Sequence, residues 1–350
     1  MRKIIYILLL LLFFAPFCLA LNLDEKIGQM IIIGYDTDDI NSKEFNSILK
    51  KVEKSQISGV ILFKKNIKSK KDLIKMNSLI KSKNNLTPIV SIDNEGGQVE
   101  RIDFIHNLSA FEINKKDENF IKKEYSSMAK NLKDVGINCN FAPVVDLGIN
   151  EKSIIVKKQR AYSKNPNDVI RASKIFVDEH NKNKIMTTLK HFPGHGSVTG
   201  DTHKGFVDST TTFKKEELEP YYKLINANKL NCVMVSHIFN SDFDNTYPAS
   251  LSAKTIKGKL INEIGYNGVV VSDDYDMGAI RKNYNLEEIV VNSINAGVNL
   301  MIFSNNLGYK DINIDRKINK IVKKNLKSGK IKLSDIDNSI NKILELKKEL

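Results

Sequence analysis

Short apolar runs alternate with longer stretches of mixed polarity along most of the chain. Each run ends in polar or glycine-rich residues, and most runs are nearly continuous in Val, Ile and Leu. Such runs are typical of parallel strands that are buried on both faces. The eight predicted strands are Ile27–Tyr35, Gly59–Phe63, Thr87–Ile92, Ile137–Val145, Ile185–Leu189, Asn231–Ser236, Gly268–Ser272 and Val298–Phe303.

The stretches between these runs are rich in Lys and Glu and have helical spacing. The clearest predicted helices are Glu118–Val135, Pro166–Asn183, Lys214–Asn228 and Leu286–Ala296. Strand–helix alternation repeated about eight times predicts an α/β fold, a (β/α)8 barrel of the TIM type, with a doubly wound open sheet as the alternative. The tail Asp311–Leu350 is predicted to form two further helices with no strand between them. No linker rich in Pro, Gly or Ser divides the chain, so we expect one barrel domain over residues 21–350.

The first twenty residues follow a different pattern. Arg2 and Lys3 precede the uncharged run Ile4–Phe14, and Cys18 and Ala20 supply small residues at its end. A basic start, an apolar stretch and a small-residue site are typical of a secretory signal peptide, so we expect cleavage after Ala20 and a periplasmic or secreted protein. An uncleaved anchor is the alternative, although the run is shorter than the roughly 20 residues that span a membrane.

Composition indicates a basic globular protein rather than a disordered one, with 41% hydrophobic and 27% charged residues. The formal net charge of +13 comes mainly from Lys on helical stretches such as Lys64–Lys83 and Lys317–Lys348. No basic run is interleaved with aromatic residues, which argues against a nucleic-acid partner. We expect a solvated Lys-rich surface on a monomer, with association with an anionic cell wall or membrane surface as the alternative.

Three cysteines are too few for a disulfide-dense scaffold. Cys18 lies in the predicted signal peptide, whereas Cys139 and Cys232 lie in predicted strands. We expect two buried free thiols in the mature chain, with an inter-strand disulfide as the alternative in an exported protein.

A barrel concentrates chemistry at the carboxyl ends of its strands. Polar and ionisable residues follow five of the predicted strands at that end, and we expect them to converge on one pocket. In strand order they are Asp93-Asn94-Glu95-Gly96-Gly97, Asp146, Lys190-His191, His237 and Asp273-Asp274.

The loop after the fifth strand, Lys190–His203, carries three of the six histidines. Four Gly or Pro residues prevent regular structure there, and Asp201 lies two residues before His203, close enough for its carboxylate to fix the imidazole tautomer. Two alternatives stay open. The loop histidines and Asp201 are possible zinc ligands, and His195 between two glycines is a candidate for a purely backbone-bonding role.

An acidic cluster, Asp273–Asp276, follows the seventh strand. Its carboxylates are candidates for a nucleophile, a metal ligand or a helix N-cap. Asp276, just before Met277, fits the cap, whereas Asp273 is closest to the strand and is expected to point into the barrel mouth. A carboxylate nucleophile and a proton donor are the minimum for retaining glycoside hydrolysis.

Together these motifs closely resemble glycoside hydrolase family 3, and within it the β-N-acetylhexosaminidase branch. The resemblance covers roughly Leu23 to Phe303 in the expected order. Its most specific part is KHFPGHG followed by Asp201-Thr202-His203. The supporting segments are IDNEGGQVER, NFAPVVDLG, Arg160-Ala161-Tyr162 and VVVSDDYDM.

The resemblance implies a role for each matching residue. Asp273 is implied as the nucleophile, His203 as the general acid/base, and Asp201 as the group that orients His203. Binding of the hydroxyls and N-acetyl group of a terminal GlcNAc is implied for Asp93, Arg101, Arg160, Lys190 and His191. No metal and no cofactor is implied.

The implied activity is that of an exo-acting, retaining β-N-acetylglucosaminidase. Its partner is a carbohydrate, either a GlcNAc-containing muropeptide or another β-linked amino sugar. The alternatives are a family 3 β-glucosidase, a GlcNAc phosphorylase, and an exported muropeptide-binding protein without turnover.

Overall fold

A computed structural model describes residues 21–227 and 230–350, so the predicted signal peptide Met1–Ala20 lies outside the described residues. Eight parallel strands form a closed barrel in chain order, and the last strand pairs with the first. This confirms the (β/α)8 prediction, and the doubly wound alternative is wrong. The strands are β1 Ile31–Ile33, β2 Gly59–Leu62, β3 Ile89–Ile92, β4 Cys139–Asn140, β5 Met186–Phe192, β6 Cys232–Val235, β7 Val269–Asp274 and β8 Leu300–Phe303.

Helices surround the barrel, and local capping explains many of their starts. Asn165 caps the helix that begins at Pro166, whose missing N–H costs nothing at a helix start. The α-helices are Leu23–Gln29, Lys43–Glu53, Lys70–Lys81, Ala110–Ile113, Glu118–Asp134, Ile154–Lys157, Pro166–Lys182, Glu219–Ala227, Gly278–Arg281, Leu286–Ala296, Ile314–Lys327 and Leu333–Lys347. Lys254–Glu263 is a wider helix with i to i+5 hydrogen bonds. Within the described ranges, no helix is both long and apolar enough to cross a bilayer.

Three predicted elements are shorter in the structure or begin later. The predicted strand Ile137–Val145 is reduced to β4, Cys139–Asn140. The first three residues of the predicted strand Ile27–Tyr35 belong to the helix Leu23–Gln29, because Asn22 and Glu25 form a capping box that starts a helix there. A short apolar run alone does not distinguish a buried helix from a strand. The predicted helix Lys214–Asn228 is a 3-10 turn, Lys215–Leu218, followed by the helix Glu219–Ala227.

Strands β5 and β7 extend further than the sequence predicts. Lys190 and His191 lie within β5, and Asp273 lies within β7. Both strands change pairing register near these residues. The predicted loop residues are therefore held by the rigid barrel wall.

The two cysteines of the described chain lie on β4 and β6. Cys139 and Cys232 are free and buried. The structure therefore confirms free thiols and not a disulfide.

The last helix, Leu333–Lys347, packs against the helix Leu23–Gln29 and against β7. The buried Lys347 ammonium donates to Gln29 Oε1 at 2.7 Å and to the Ser58 carbonyl at 2.9 Å. Burial lowers the pKa of Lys347 from 10.5 to about 7. A buried charge whose partners are neutral makes stability depend on pH.

Replacing this lysine, Lys347→Met, should change that pH dependence. Between pH 7 and 10.5 the unfolded chain binds the Lys347 proton more tightly than the folded chain, so wild-type stability rises with pH relative to the variant. We expect a relative gain on the order of 1 kcal/mol per pH unit, measured by urea unfolding. The exposed neighbour substitution Lys348→Met is the control. A difference between wild type and Lys347→Met that stays constant with pH contradicts the prediction.

Candidate active site

A cavity of about 230 Å³ opens at the carboxyl end of the barrel. Seven of the eight predicted site residues line it: Asp93, Arg101, Arg160, Lys190, His191, His203 and Asp273. Asp201 lies behind His203 and is not part of the lining. Lining residues that received no role from the sequence include Phe63, Glu95, Gln98, Lys158, Met234 and Asn306.

Buried opposite charges form one wall of this cavity. Lys190 Nζ lies 2.7 Å from Asp93 Oδ1 and 2.7 Å from Glu95 Oε1. Arg160 donates two hydrogen bonds to the same Glu95 carboxylate, from Nε at 2.7 Å and from Nη2 at 2.8 Å. Burial alone raises the pKa of Glu95, but Arg160 and Lys190 hold it well below its usual value. All three groups therefore stay charged.

Glu95 is the central residue for which the sequence implies no role. It belongs to the run Asp93–Gly97 that the sequence places at the pocket, but the family resemblance implies a function only for Asp93. Gly96 and Gly97 follow with φ of 94° and 60°, and a Cβ on Gly96 would lie 2.2 Å from the Leu108 carbonyl oxygen. This tight turn brings Glu95 back over the barrel, where only the fold reveals its two cationic partners.

Arg101 reaches the same cavity from the loop after β3. Its guanidinium lies 5.9 Å from the Phe63 ring centre, in cation–π contact. Its Nε is buried and has no hydrogen-bond partner among residues 21–227 and 230–350. A buried donor of this kind favours a ligand that brings an acceptor.

A second buried carboxylate, Asp146, organises the end of β5. Its Oδ2 lies 2.7 Å from His191 Nδ1, and its Oδ1 accepts from the backbone N–H of His191 and His195 at 3.1 and 2.9 Å. Burial alone raises the pKa of Asp146, but His191 holds it below its usual value. Asp146 thus fixes the start of the histidine-rich loop.

His191 has protein partners on both ring nitrogens. Arg160 Nη2 lies 3.3 Å from His191 Nε2, and because a guanidinium only donates, Nε2 accepts and the proton resides on Nδ1. The structure brings His191 to the cavity wall, where it links Asp146 to Arg160.

Asp273 projects from β7 and is only partly exposed. Its Oδ1 accepts from the backbone N–H of Asp274 at 2.8 Å. Burial alone raises the pKa of Asp273, but the nearby His237, His191 and His203 hold it below its usual value. The carboxylate is therefore ionised at neutral pH, the form that acts as a nucleophile.

His237, which follows the sixth predicted strand, binds the backbone of β7 next to Asp273. Its Nε2 donates to the Asp274 carbonyl at 2.9 Å, and its Nδ1 accepts from the Ser250 hydroxyl at 2.7 Å. The ring is buried, which lowers the pKa of His237. A neutral His237 in one tautomer thus fixes the backbone of β7 next to Asp273.

The other acidic residues of this cluster are bound by protein partners, although Asp274 also lines the cavity. Burial and the neighbouring Asp276 raise the pKa of Asp274, which accepts from the Ser304 side chain and backbone. The predicted cap role of Asp276 is wrong, because the helix Gly278–Arg281 has no side-chain cap. Asp276 instead accepts from Arg281 Nη2 at 2.8 Å and from the Asn305 backbone at 2.9 Å.

His203 and Asp201 form a pair at the cavity mouth. His203 Nδ1 lies 2.8 Å from Asp201 Oδ1, and the His203 backbone N–H donates to the same oxygen at 3.1 Å. Burial alone raises the pKa of Asp201, but the bonds from His203 hold it below its usual value. The carboxylate thus binds Nδ1–H and leaves Nε2 to donate or accept a proton.

The remaining loop histidine, His195, is buried and faces inward. Burial lowers its pKa to about 4, and its backbone N–H donates to Asp146. Its Nδ1 has no partner in the part of the chain that the structure describes. In the same part, no group of three or more His, Cys, Asp or Glu side chains is arranged to hold a metal ion.

Nearly all of the described chain matches one known protein family. The family model described as Glycosyl hydrolase family 3 N terminal domain matches residues 22–346. The chain belongs to glycosyl hydrolase family 3. The family resemblance and the glycoside hydrolase class inferred from the sequence are thereby confirmed.

Similar proteins carry names from one branch of the family. Beta-hexosaminidase A of Pseudoalteromonas piscicida is 30% identical over 277 residues, which is 72% of this chain and 46% of that protein. Beta-hexosaminidase of Actinobacillus pleuropneumoniae is 30% identical over 283 residues, 76% of this chain and 80% of that protein. The chain thus spans about half of the first relative and most of the second.

A solved structure of similar fold also carries a name from this branch. The glycoside hydrolase family 3 beta-N-acetylglucosaminidase from Paenibacillus sp. str. FPU-7 superposes with a TM-score of 0.86 at 27% identity. The match covers 94% of this chain and 63% of that one. The predicted β-N-acetylhexosaminidase branch is the one to which these relatives belong by name.

Glu95→Gln should destabilise the protein strongly, because it leaves the buried cations Lys190 and Arg160 without their shared carboxylate. We expect a loss of about 3–5 kcal/mol in the free energy of unfolding, measured by urea denaturation. Asp103→Asn is the control, since its pair with Lys64 is 70% and 68% exposed and should contribute less than about 1 kcal/mol. Equal losses in the two variants contradict the importance of the buried network.

Proposed function

We propose that this family 3 protein is an exo-acting, retaining β-N-acetylglucosaminidase that removes terminal GlcNAc from β-linked substrates. The observation that carries the proposal is the pairing of two groups in one cavity. Asp273 supplies an ionised carboxylate, and His203, oriented by Asp201, supplies a proton at the cavity mouth. These are the two functions that retaining hydrolysis requires.

The first step transfers the sugar to the protein. An Asp273 oxygen attacks the anomeric carbon as the bond from that carbon to the leaving oxygen breaks, and His203 Nε2 gives its proton to that oxygen. In the second step water attacks the anomeric carbon, His203 Nε2 takes the water proton, and the Asp273 carboxylate is released. Asp201 stabilises the imidazolium form of His203, which is present before the first step and again after the second.

The size of the cavity supports action on chain ends. Its volume of about 230 Å³ lies below the range of about 300–1,000 Å³ that is usual for drug-sized ligands, and it suits a single sugar ring. In the proposed complex Asp93 accepts from sugar hydroxyls, while Lys190 and Arg160 donate to sugar oxygens.

Preference for an amino sugar rests on Arg101 and on the names of the relatives. The buried Arg101 Nε lacks a hydrogen-bond partner among the described residues, and an acetamido carbonyl oxygen would provide one. A glucose hydroxyl at that position is a weaker acceptor. The two relatives and the solved structure named above are β-hexosaminidases or a β-N-acetylglucosaminidase.

Turnover of 4-nitrophenyl β-GlcNAc without added metal tests the proposal. Asp273→Asn should lower kcat about a thousandfold or more, because no covalent intermediate can form. The exposed aspartate of the loop after β6 provides the control Asp242→Asn, which should keep wild-type turnover. Wild-type turnover in Asp273→Asn would contradict the assignment of the nucleophile.

The same assay separates the alternatives. Faster cleavage of the aryl β-glucoside than of the β-GlcNAc substrate would identify a β-glucosidase, and a rate that needs inorganic phosphate would identify a phosphorylase. Tight binding of a GlcNAc-containing muropeptide without turnover would identify a binding protein.

We also propose that the protein is exported and acts on wall fragments in the periplasm or outside the cell. The support is the sequence pattern of Met1–Ala20. Expressed in full, the protein should be recovered in the periplasmic or culture fraction with Leu21 at its N-terminus, whereas a variant lacking residues 2–20 should stay in the cytoplasm. Mass spectrometry of each fraction measures this. Full-length protein retained in the cytoplasm with Met1 intact contradicts export.

A further inference from the structure

The loop that carries His203 is bound by its main chain to the segment that follows Asp273. The carbonyl oxygens of Thr202 and His203 accept from the backbone N–H groups of Ala279 and Gly278, at 3.0 and 3.1 Å. These two amides are the first of the short helix Gly278–Arg281, which follows directly from β7.

A third bond continues this row. Lys282 Nζ donates to the Lys204 carbonyl oxygen at 2.9 Å. Three successive carbonyls, from Thr202 to Lys204, therefore bind the segment 278–282. The general acid and the nucleophile come from different strands, and these bonds join the two chain segments directly.

The close approach of residues 203 and 204 to position 278 requires a glycine there. A Cβ on Gly278 would lie 2.8 Å from the His203 carbonyl oxygen and 2.9 Å from the Lys204 carbonyl carbon and oxygen. These atoms belong to the main chain, so no side-chain rotation relieves the overlap. A methyl group at position 278 has to push residues 203 and 204 away.

The far side of the loop is fixed independently. The Phe239 backbone N–H donates to the Val207 carbonyl at 2.9 Å, and the Ser209 N–H donates to the Phe239 carbonyl at 2.9 Å. Between this anchor and Gly278 the side chains of His203 and Lys204 are exposed. The position of the imidazole relative to Asp273 therefore depends on the contact at Gly278.

We propose that Gly278 is a positioning residue for the general acid. By admitting the backbone of residues 202–204 onto the start of the helix Gly278–Arg281, it sets the distance between His203 and Asp273, and Lys282 adds a side-chain bond to the same contact. The inference rests on the proposed roles of His203 and Asp273. Displacement of a catalytic group by about 1 Å costs on the order of a hundredfold in rate.

Gly278→Ala tests this with substrates that differ in their need for an acid. A phenyl β-GlcNAc leaves poorly without a proton, whereas 2,4-dinitrophenyl leaves as a stable anion. We expect kcat/KM of Gly278→Ala to fall about tenfold to a hundredfold on the phenyl substrate and less than about threefold on the dinitrophenyl substrate. The ratio kcat/KM is used because it reports only steps up to the first bond cleavage.

Gly205→Ala is the matched control. It adds the same methyl group two residues after His203, where nothing lies within 4 Å of the new Cβ. Both substrates should be cleaved by this variant at rates within about twofold of wild type. A loss in Gly205→Ala equal to that in Gly278→Ala overturns the inference, since the loop then tolerates no methyl group anywhere.

Two further outcomes overturn the positioning role. Equal losses of Gly278→Ala on both substrates would mean that the nucleophile or the whole fold is damaged, and unchanged rates would mean that the contact is not needed. If Gly278→Ala does not fold, Lys282→Met decides: a loss confined to the phenyl substrate supports the role, and wild-type rates on both substrates overturn it.

Failure of the proposed function has its own signature. His203→Ala should lose activity mainly on the phenyl substrate, as the removal of an acid requires. If His203→Ala loses activity equally on both substrates, or wild type cleaves neither, then the catalytic assignment fails, whatever Gly278→Ala does.

Discussion

The shared carboxylate of Glu95 is the interaction on which the site depends. Glu95 binds two buried cations at the barrel mouth, Arg160 and Lys190, of which Lys190 also pairs with Asp93, and an unpaired buried charge would cost several kcal/mol. Glu95, Arg160 and Lys190 come from the loop after β3, the loop after β4, and β5 itself. Satisfying this one charge requirement therefore holds three parts of the barrel in a single arrangement. A sugar would meet donors that are already in place, so little ordering remains to be done upon binding.

Electrostatics on the opposite wall serve a different purpose. Asp273 is close to His191, His203 and His237, and these rings keep its pKa low despite its burial. Asp274, one residue later, lacks this surrounding and faces Asp276, so its pKa moves the other way. The pKa values of two neighbouring carboxylates on one strand are thus shifted in opposite directions by the different groups around them. Both line the cavity that also holds the proposed proton donor, but only Asp273 has its pKa lowered.

Much of the architecture could be predicted because it depends on local patterns in the sequence. The alternation of apolar runs with amphipathic stretches predicts the barrel, and the polar ends of the strands supply six residues of the cavity wall. Arg101, Arg160 and His203 are expected there only from the family resemblance. The rest depends on contacts between distant segments. Glu95 looks like part of a turn until Arg160 and Lys190 reach it. Asp276 looks like a helix cap until Arg281 binds it, and the run at Ile27 looks like a strand although its capping box makes a helix.

The main-chain character of the contact at Gly278 has an evolutionary consequence. Because residues 202–204 are bound through their carbonyl oxygens, the exposed side chains of this segment, such as that of Lys204, make none of the bonds that join it to Gly278–Lys282. Mutations at those positions can alter what the loop presents to the part of a substrate beyond the first sugar while the acid keeps its place. The loop can therefore vary in the leaving groups that it favours while the position of the His203 imidazole stays the same.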